Sequence, residues 1–461
     1  MKLIRLTVFL VLLLVSCSVQ SPEPAADHAD QEVRQLLDQQ AQYSLVSQEL
    51  FDRLGWSLPD NGSHVKALAE AAPQGAFDPQ ELESLPADQI GYTARWHVLR
   101  YPFYHLDWDI TGLELTPNNP TEGMPTLAIV NGGSANWYEF FVDPLNNPGI
   151  GQYLAQRIPV ILVTIPGNYK PGGWTQANAD RIPEYVIGAA PSQQEVKIRN
   201  AIYTFSLIAE GTRLLLEKVS SGPLLIVGHS TGGELQFMLK NSSLRSRLHD
   251  LSLGWGSGPP APIKREFDEG RGARAPRVED YEKRRAWQVR GRSPEGYVSG
   301  RYIGPLNPVP GASQLEVAEG WFEHVGRRRP HFKQTLQDME HQDMLEHREK
   351  LKQEIRQTLQ DNPYGIGAEE VIQDLFAPNQ SPLEGYRKMV WVVAKLDATH
   401  WNPDHPDQGL EVFTAEQFRK ANPGVPVRVL LLDAPITHYG HIERPRQVAG
   451  ALMAAAGWLS H

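Results

Sequence analysis

Between Ala94 and Asp433 the chain alternates short, continuously apolar runs with longer stretches in which apolar residues return every three or four positions. A short unbroken run fits a strand buried on both faces, whereas the 3.6-residue return fits a helix with one covered side. "TLAIV", "VILVTI", "LLIV", "MVWVVAKLD" and "VRVLLLD" are the runs. After the second, Ser192 and Glu195 form a capping-box pair. Ile198, Ile202, Phe205, Ala209, Leu215 and Leu216 then make an inward stripe, which predicts one long helix. Leu235, Met238 and Leu239 stripe another, beginning at Thr231 or Gly232, and Val448, Leu452, Ala455 and Leu459 stripe a last one. Ahead of all these, "ARWHVLRYPFYHLDWDITGLELTP" has the aromatic and β-branched enrichment of paired strands. The order predicts an α/β protein with a mostly parallel sheet flanked by helices.

Two regions depart from this pattern. Near the N-terminus Val33, Leu36, Leu37, Leu45, Val46 and Leu50 recur at loosely helical spacing, predicting an N-terminal helical segment to about Asp88. With the polar linker before it, this segment occupies residues 18–95. Over residues 259–388 charged, mostly helical sequence replaces the strand runs, which resume afterwards. An inserted helical cap is the economical reading, dividing the core into residues 96–258 and 389–461. No internal repeat is evident.

Composition narrows the function. With 461 residues, 41% of them apolar, and 11 tryptophans, the chain can bury a large core. A formal charge of -10 leaves no basic excess for a phosphate backbone, so nucleic acid is not an expected partner. The first residues, "MKLIRLTVFLVLLLVSCS", have the charged, apolar and small-residue order of an export signal, too short in its apolar part for a stable span. Leu14 to Cys17 resemble the lipobox of bacterial lipoproteins. That resemblance implies a signal peptide over residues 1–17, lipidation of Cys17, and a membrane anchor, with Ser18 favouring the outer membrane. Cys17 is the only cysteine, so no intramolecular disulfide is available.

The candidate chemistry sits where "LLIV" ends. Gly228, His229, Ser230, Thr231 and Gly232 spell G-x-S-x-G between a predicted strand and a predicted helix. Small neighbours there let a strained turn project a serine from the sheet edge. A serine hydroxyl needs a base, and a base needs an orienting carboxylate. Near the C-terminus "THYGHIERPRQVAGAL" offers His438 and His441.

Here the chain resembles the α/β-hydrolase superfamily, whose closing segment often reads G-H, then E-x-P, then a helix. The resemblance implies Ser230 as nucleophile, His438 as base with His441 as runner-up, and Asp397, at the end of "MVWVVAKLD", as the acid. Asp404, Asp407 and Asp433 read as loop or capping carboxylates. The stretch from Asp397 to His438 is longer than usual for the superfamily and accommodates a further helix around Leu410 to Phe418. The resemblance also implies an oxyanion hole from the amides of Thr231 and Gly133, with Ser134 the alternative to Gly133. It covers roughly Leu113 to Gly258 and Met389 to Trp458, with Thr164 standing where the family's strand ends in aspartate.

No metal or organic cofactor is implied. His331, His341, Asp343 and His347 read as solvated helix, because His341 and His347 do not share a helical face. Arg327-Arg328-Arg329 reads as an exposed face. Trp137, Tyr138, Phe140 and Phe141 read equally as core or as a pocket wall.

The expected activity is hydrolysis of a small or lipid-like carboxylic ester. An amidase or peptidase on the same residues and a non-catalytic binding lipoprotein are the alternatives. Dehalogenase and epoxide hydrolase chemistry is disfavoured, since those relatives carry aspartate where Ser230 stands.

Overall fold

The structure, a computed structural model, describes residues 25–39, 41–58, 91–130, 138–141, 148–167, 185–230, 232–248, 251–260, 263, 344–376, 383–395, 397, 400–401, 409–436, 438 and 440–461. Its strands are β1 (Ser44–Val46), β2 (Tyr92–Phe103), β3 (Leu106–Pro117), β4 (Thr126–Val130), β5 (Val160–Thr164), β6 (Leu224–Ser230), β7 (Leu251–Ser257), β8 (Lys388–Ala394) and β9 (Val427–Leu432). The described helices are α1 (Ala25–Asp38), α2 (Gln48–Arg53), α3 (Tyr138–Phe141), α4 (Ile150–Leu154), α5 (Gln193–Ala201), α6 (Phe205–Val219), α7 (Gly232–Leu239), α8 (Met344–Leu359), α9 (Ala368–Phe376), α10 (Leu410–Ala421), α11 (Gly440–Glu443) and α12 (Pro445–Ser460).

The strands form one nine-stranded sheet in the order β1-β9-β8-β7-β6-β4-β5-β3-β2. β3 runs antiparallel to both neighbours, and every other pairing is parallel. After β4 the chain steps to β5 on one side and then to β6 on the other. That reversal opens a crevice at the carboxyl ends of β4 and β6, the usual ligand position in open α/β sheets. The mostly parallel sheet, its one antiparallel strand next to the edge, and a serine at a central strand-to-helix turn are those of the α/β-hydrolase fold.

Both faces of the sheet are covered, which is why its strands read as unbroken apolar runs. Leu127, Leu225, Leu253, Val390 and Leu430 pack with α12, while Ala128, Ile161, Ile226 and the α6 residues Leu207 and Leu215 share the opposite core. Met389, Trp391 and Val429 pack with Phe418 of α10. α12 is buried all round from Val448 to Leu459, because α1 lies against the side the sheet leaves open. The two meet closely: Trp458 Nε1 donates to Asp38 at 2.8 Å.

Three expectations change. The single long helix is two, α5 and α6, since Thr204 accepts from the Leu207 amide and caps a fresh start. The N-terminal segment contains a strand, β1, paired with β9. β7 lies between the serine strand and β8 and was not foreseen. Residues 264–343, most of the expected cap, lie outside the described residues. Its described end, α8 and α9, packs Leu351, Ile355 and Val371 into the core shared with α5 and α6.

Candidate active site

Ser230 ends β6 with φ 54, a left-handed conformation that costs a non-glycine residue about 1–2 kcal/mol. The β6–β7 register shifts between His229 and Ser230. Close packing holds the turn: a Cβ on Gly228 would stand 2.7 Å from the Gly233 Cα, and one on Gly233 would stand 2.3 Å from the Gly258 carbonyl oxygen. Only glycines let α7 leave the strand this tightly. Gln236, one turn into α7, stitches the helix back: its Oε1 accepts from the Gly228 amide at 3.0 Å and its Nε2 donates to Ser252 Oγ at 2.7 Å. The Gly258 amide donates to the Ser230 carbonyl at 2.7 Å.

His438 and Asp397 meet although 41 residues separate them, with Nδ1 2.8 Å from Oδ2 and both side chains buried. A carboxylate only accepts, so His438 carries its proton on Nδ1, which makes Nε2 the basic nitrogen of the neutral ring. Gly256 closes the approach from β7: a Cβ there would lie 2.9 Å from Asp397 Oδ2 and 3.1 Å from His438 Nδ1. The backbone of Asp397 is pinned too, its carbonyl accepting from the Trp401 amide at 2.7 Å.

The His438 ring also touches its neighbours. His229, beside the serine, has its ring centroid 4.6 Å away, and its Nε2 lies 3.2 Å from the His438 carbonyl oxygen. Burial, and then His441 and His438, hold the His229 ring well below the usual imidazole range, so it stays neutral. His441 packs on the far side of His229, its ring centroid 4.5 Å away; its Nδ1 accepts from Trp255 Nε1 at 3.1 Å and its ring stacks on Phe140 at 4.5 Å. Phe140 and Phe141 are core residues beside the site.

Gly133, Ser134 and Thr231, expected at the oxyanion, lie outside the described residues. So do Cys17, residues 168–184 after Thr164, Trp137, Arg327, Arg328, Arg329, His331, His341, Asp343, Asp404 and Asp407. The loop expected to carry Gly133 leaves β4, whose last residue, Val130, pairs with Gly228.

Two residues not foreseen complete the cluster: His400, three positions after Asp397, and Glu411 on α10, whose Oε1 is 2.6 Å from His400 Nδ1. Among the described residues, one group of metal-type donors is present, Asp397, His400 and His438, with ligand atoms within 4.8 Å. Within it His438 Nδ1 faces Asp397 Oδ2, and His400 Nδ1 faces Glu411 Oε1.

A strand-turn serine, an imidazole and a carboxylate at the carboxyl edge of an α/β-hydrolase sheet define the class of site. No protein-family model matches the chain, and no curated protein matches it in sequence. Solved structures do resemble it. A membrane phospholipase A described as a bacterial virulence factor is 15% identical, over 86% of this chain and 97% of that one, with a TM-score of 0.39. A carboxylesterase from Bacillus subtilis is 10% identical over 84% and 95%, with a TM-score of 0.38. A haloalkane dehalogenase variant from Bradyrhizobium elkanii is 14% identical over 79% and 96%, with a TM-score of 0.40. The fold rests on the strand order and directions above.

Proposed function

We propose that the chain is a serine hydrolase of carboxylic esters, exported and held at the membrane through a lipid on Cys17. The observation that carries this is the strained Ser230 at the β6 turn, whose sequence neighbour His229 lies 4.6 Å, ring to ring, from a His438 held 2.8 Å from Asp397. In this reading Ser230 Oγ attacks the ester carbonyl while His438 Nε2 takes its proton, and Asp397 orients and balances the imidazolium. The acyl–oxygen bond then breaks, and His438 returns the proton to the departing alcohol. Water, deprotonated by the same nitrogen, attacks the acyl-enzyme and releases the acid with Ser230 restored. The amides of Thr231 and Gly133 are assigned to the oxyanion.

A fluorophosphonate probe tests the nucleophile. Labelling is expected on Ser230 alone, slowed at least about a hundredfold by His438→Ala. A folded wild-type protein that takes no label refutes the serine-hydrolase reading and favours a binding lipoprotein. Aryl esters against aminoacyl anilides test the bond cleaved: turnover of anilides alone makes the protein an amidase. Radiolabelled fatty acid should enter the wild-type chain in bacterial cells and not a Cys17→Ala variant.

A further inference from the structure

The reach from Asp397 to His438 contains α10, and the first turn of that helix carries a carboxylate for which the mechanism above has no use. Glu411 is buried, with its Oε1 2.6 Å from His400 Nδ1. The His400 ring lies flat against His438, with centroids 5.2 Å apart and planes 7° from parallel. His400 also reaches Asp397 through its backbone: its amide lies 3.3 Å from Asp397 Oδ1, the oxygen that His438 does not take. The Leu410 amide donates to the His400 carbonyl at 2.9 Å, which ties the start of α10 to this loop. Two carboxylate–imidazole pairs are therefore stacked, the outer one braced on a helix.

We propose that Glu411 and His400 are positioning residues for the proposed hydrolysis: Glu411 fixes the His400 ring, and His400 holds His438 and the second oxygen of Asp397 in line. This inference rests on the serine-hydrolase reading. A carboxylate is a poor choice for mere packing, because its desolvation is costly and a glutamine of the same shape would fill the site. Facing Glu411 are His400 and Asp397, and facing His438 are Asp397, His400 and His229, with His441 behind His229. Burial pushes the Glu411 carboxyl up to about 7, against the pull of His400. Above that midpoint its charge favours the His438 imidazolium, so removing the charge moves the acid limb of the rate profile to lower pH.

The test uses the full chain as wild type, Glu411→Gln, His400→Gln and His438→Ala, with each melting curve recorded. Fluorophosphonate labelling and p-nitrophenyl butyrate turnover are followed from about pH 5 to about pH 9. Glu411→Gln is expected to label about tenfold to a hundredfold slower. Its kcat should fall while KM stays within about twofold, and its acid limb should move down. His400→Gln retains the backbone contact but loses the stacked ring, and it should share the kcat loss. It also serves if Glu411→Gln does not fold. A folded variant with the wild-type kcat and pH profile overturns the positioning role while leaving the hydrolase reading intact. A wild-type protein that neither labels nor turns over ester overturns both.

Discussion

Gly256 offers a way to disturb the His438–Asp397 pair without changing either residue. It sits at φ 45, where an alanine costs about 1–2 kcal/mol in backbone strain. Its new methyl would stand 2.9 Å from Asp397 Oδ2 and 3.1 Å from His438 Nδ1, whereas ordinary contact begins near 3.4 Å. The oxygen must recede by roughly half an ångström and the nitrogen by somewhat less, and overpacking of this kind costs about 1–3 kcal/mol. Unequal retreats bend or lengthen a 2.8 Å hydrogen bond. Gly256→Ala should thus lose about 2–5 kcal/mol of stability. Below its melting point it should take fluorophosphonate about tenfold to a hundredfold more slowly than wild type. Denaturant unfolding and labelling rates measure both quantities. Gly222→Ala, with no heavy atom within 4 Å of the new Cβ, is the control. A Gly256→Ala protein that unfolds and labels like wild type refutes the reasoning, because it means the space at Gly256 does not set the His438–Asp397 contact.

Other perturbations separate roles. Asp397→Asn should slow ester turnover on the order of a thousandfold or more, since an amide no longer fixes the proton on His438 Nδ1; a loss below about tenfold contradicts the acid assignment. His441→Phe strands the buried Trp255 Nε1 and should cost about 1–3 kcal/mol in unfolding measurements while labelling of Ser230 persists; lost labelling in the folded variant would shift the base to His441. Glu411 also makes stability depend on pH. Its folded-state midpoint of about 7 lies above the unfolded value, so the favourable contribution is complete below the unfolded midpoint of 4.5 and is lost as pH rises through 7. Glu411→Gln should therefore gain stability relative to wild type between pH 5 and pH 8; a difference constant across that range contradicts the assignment.

The parallel strands were legible because two covered faces leave no polar alternation to interrupt them. β7 was not, since Gly254, Gly256 and its two serines break the run in "LSLGWGS", and Gly256 is small for the sake of the site. β1 escaped because a three-residue strand has no pattern of its own. The split between α5 and α6 escaped because apolar spacing continues through Thr204, and the interruption is a single side-chain hydrogen bond. Of the candidate site, the strained turn at Ser230 is foreshadowed by its glycines, and the meeting of His438 with Asp397 by strand ends and a family pattern. His400 and Glu411 had no such sign. One lies in a loop and the other in an ordinary helical stripe, and what joins them is where α10 begins.

The pairing of β1 with β9 orders events in time. Val46 lies beside Leu432, so the first described strand finds its neighbour only once the last described one has been made. Loop closure over such a span is slow compared with local hairpins. Until β9 is available β1 has no described strand to pair with, and α12 lacks its outer cover until α1 packs against it. A chain truncated before β9 should therefore present an unpaired strand and an uncovered core to chaperones and proteases.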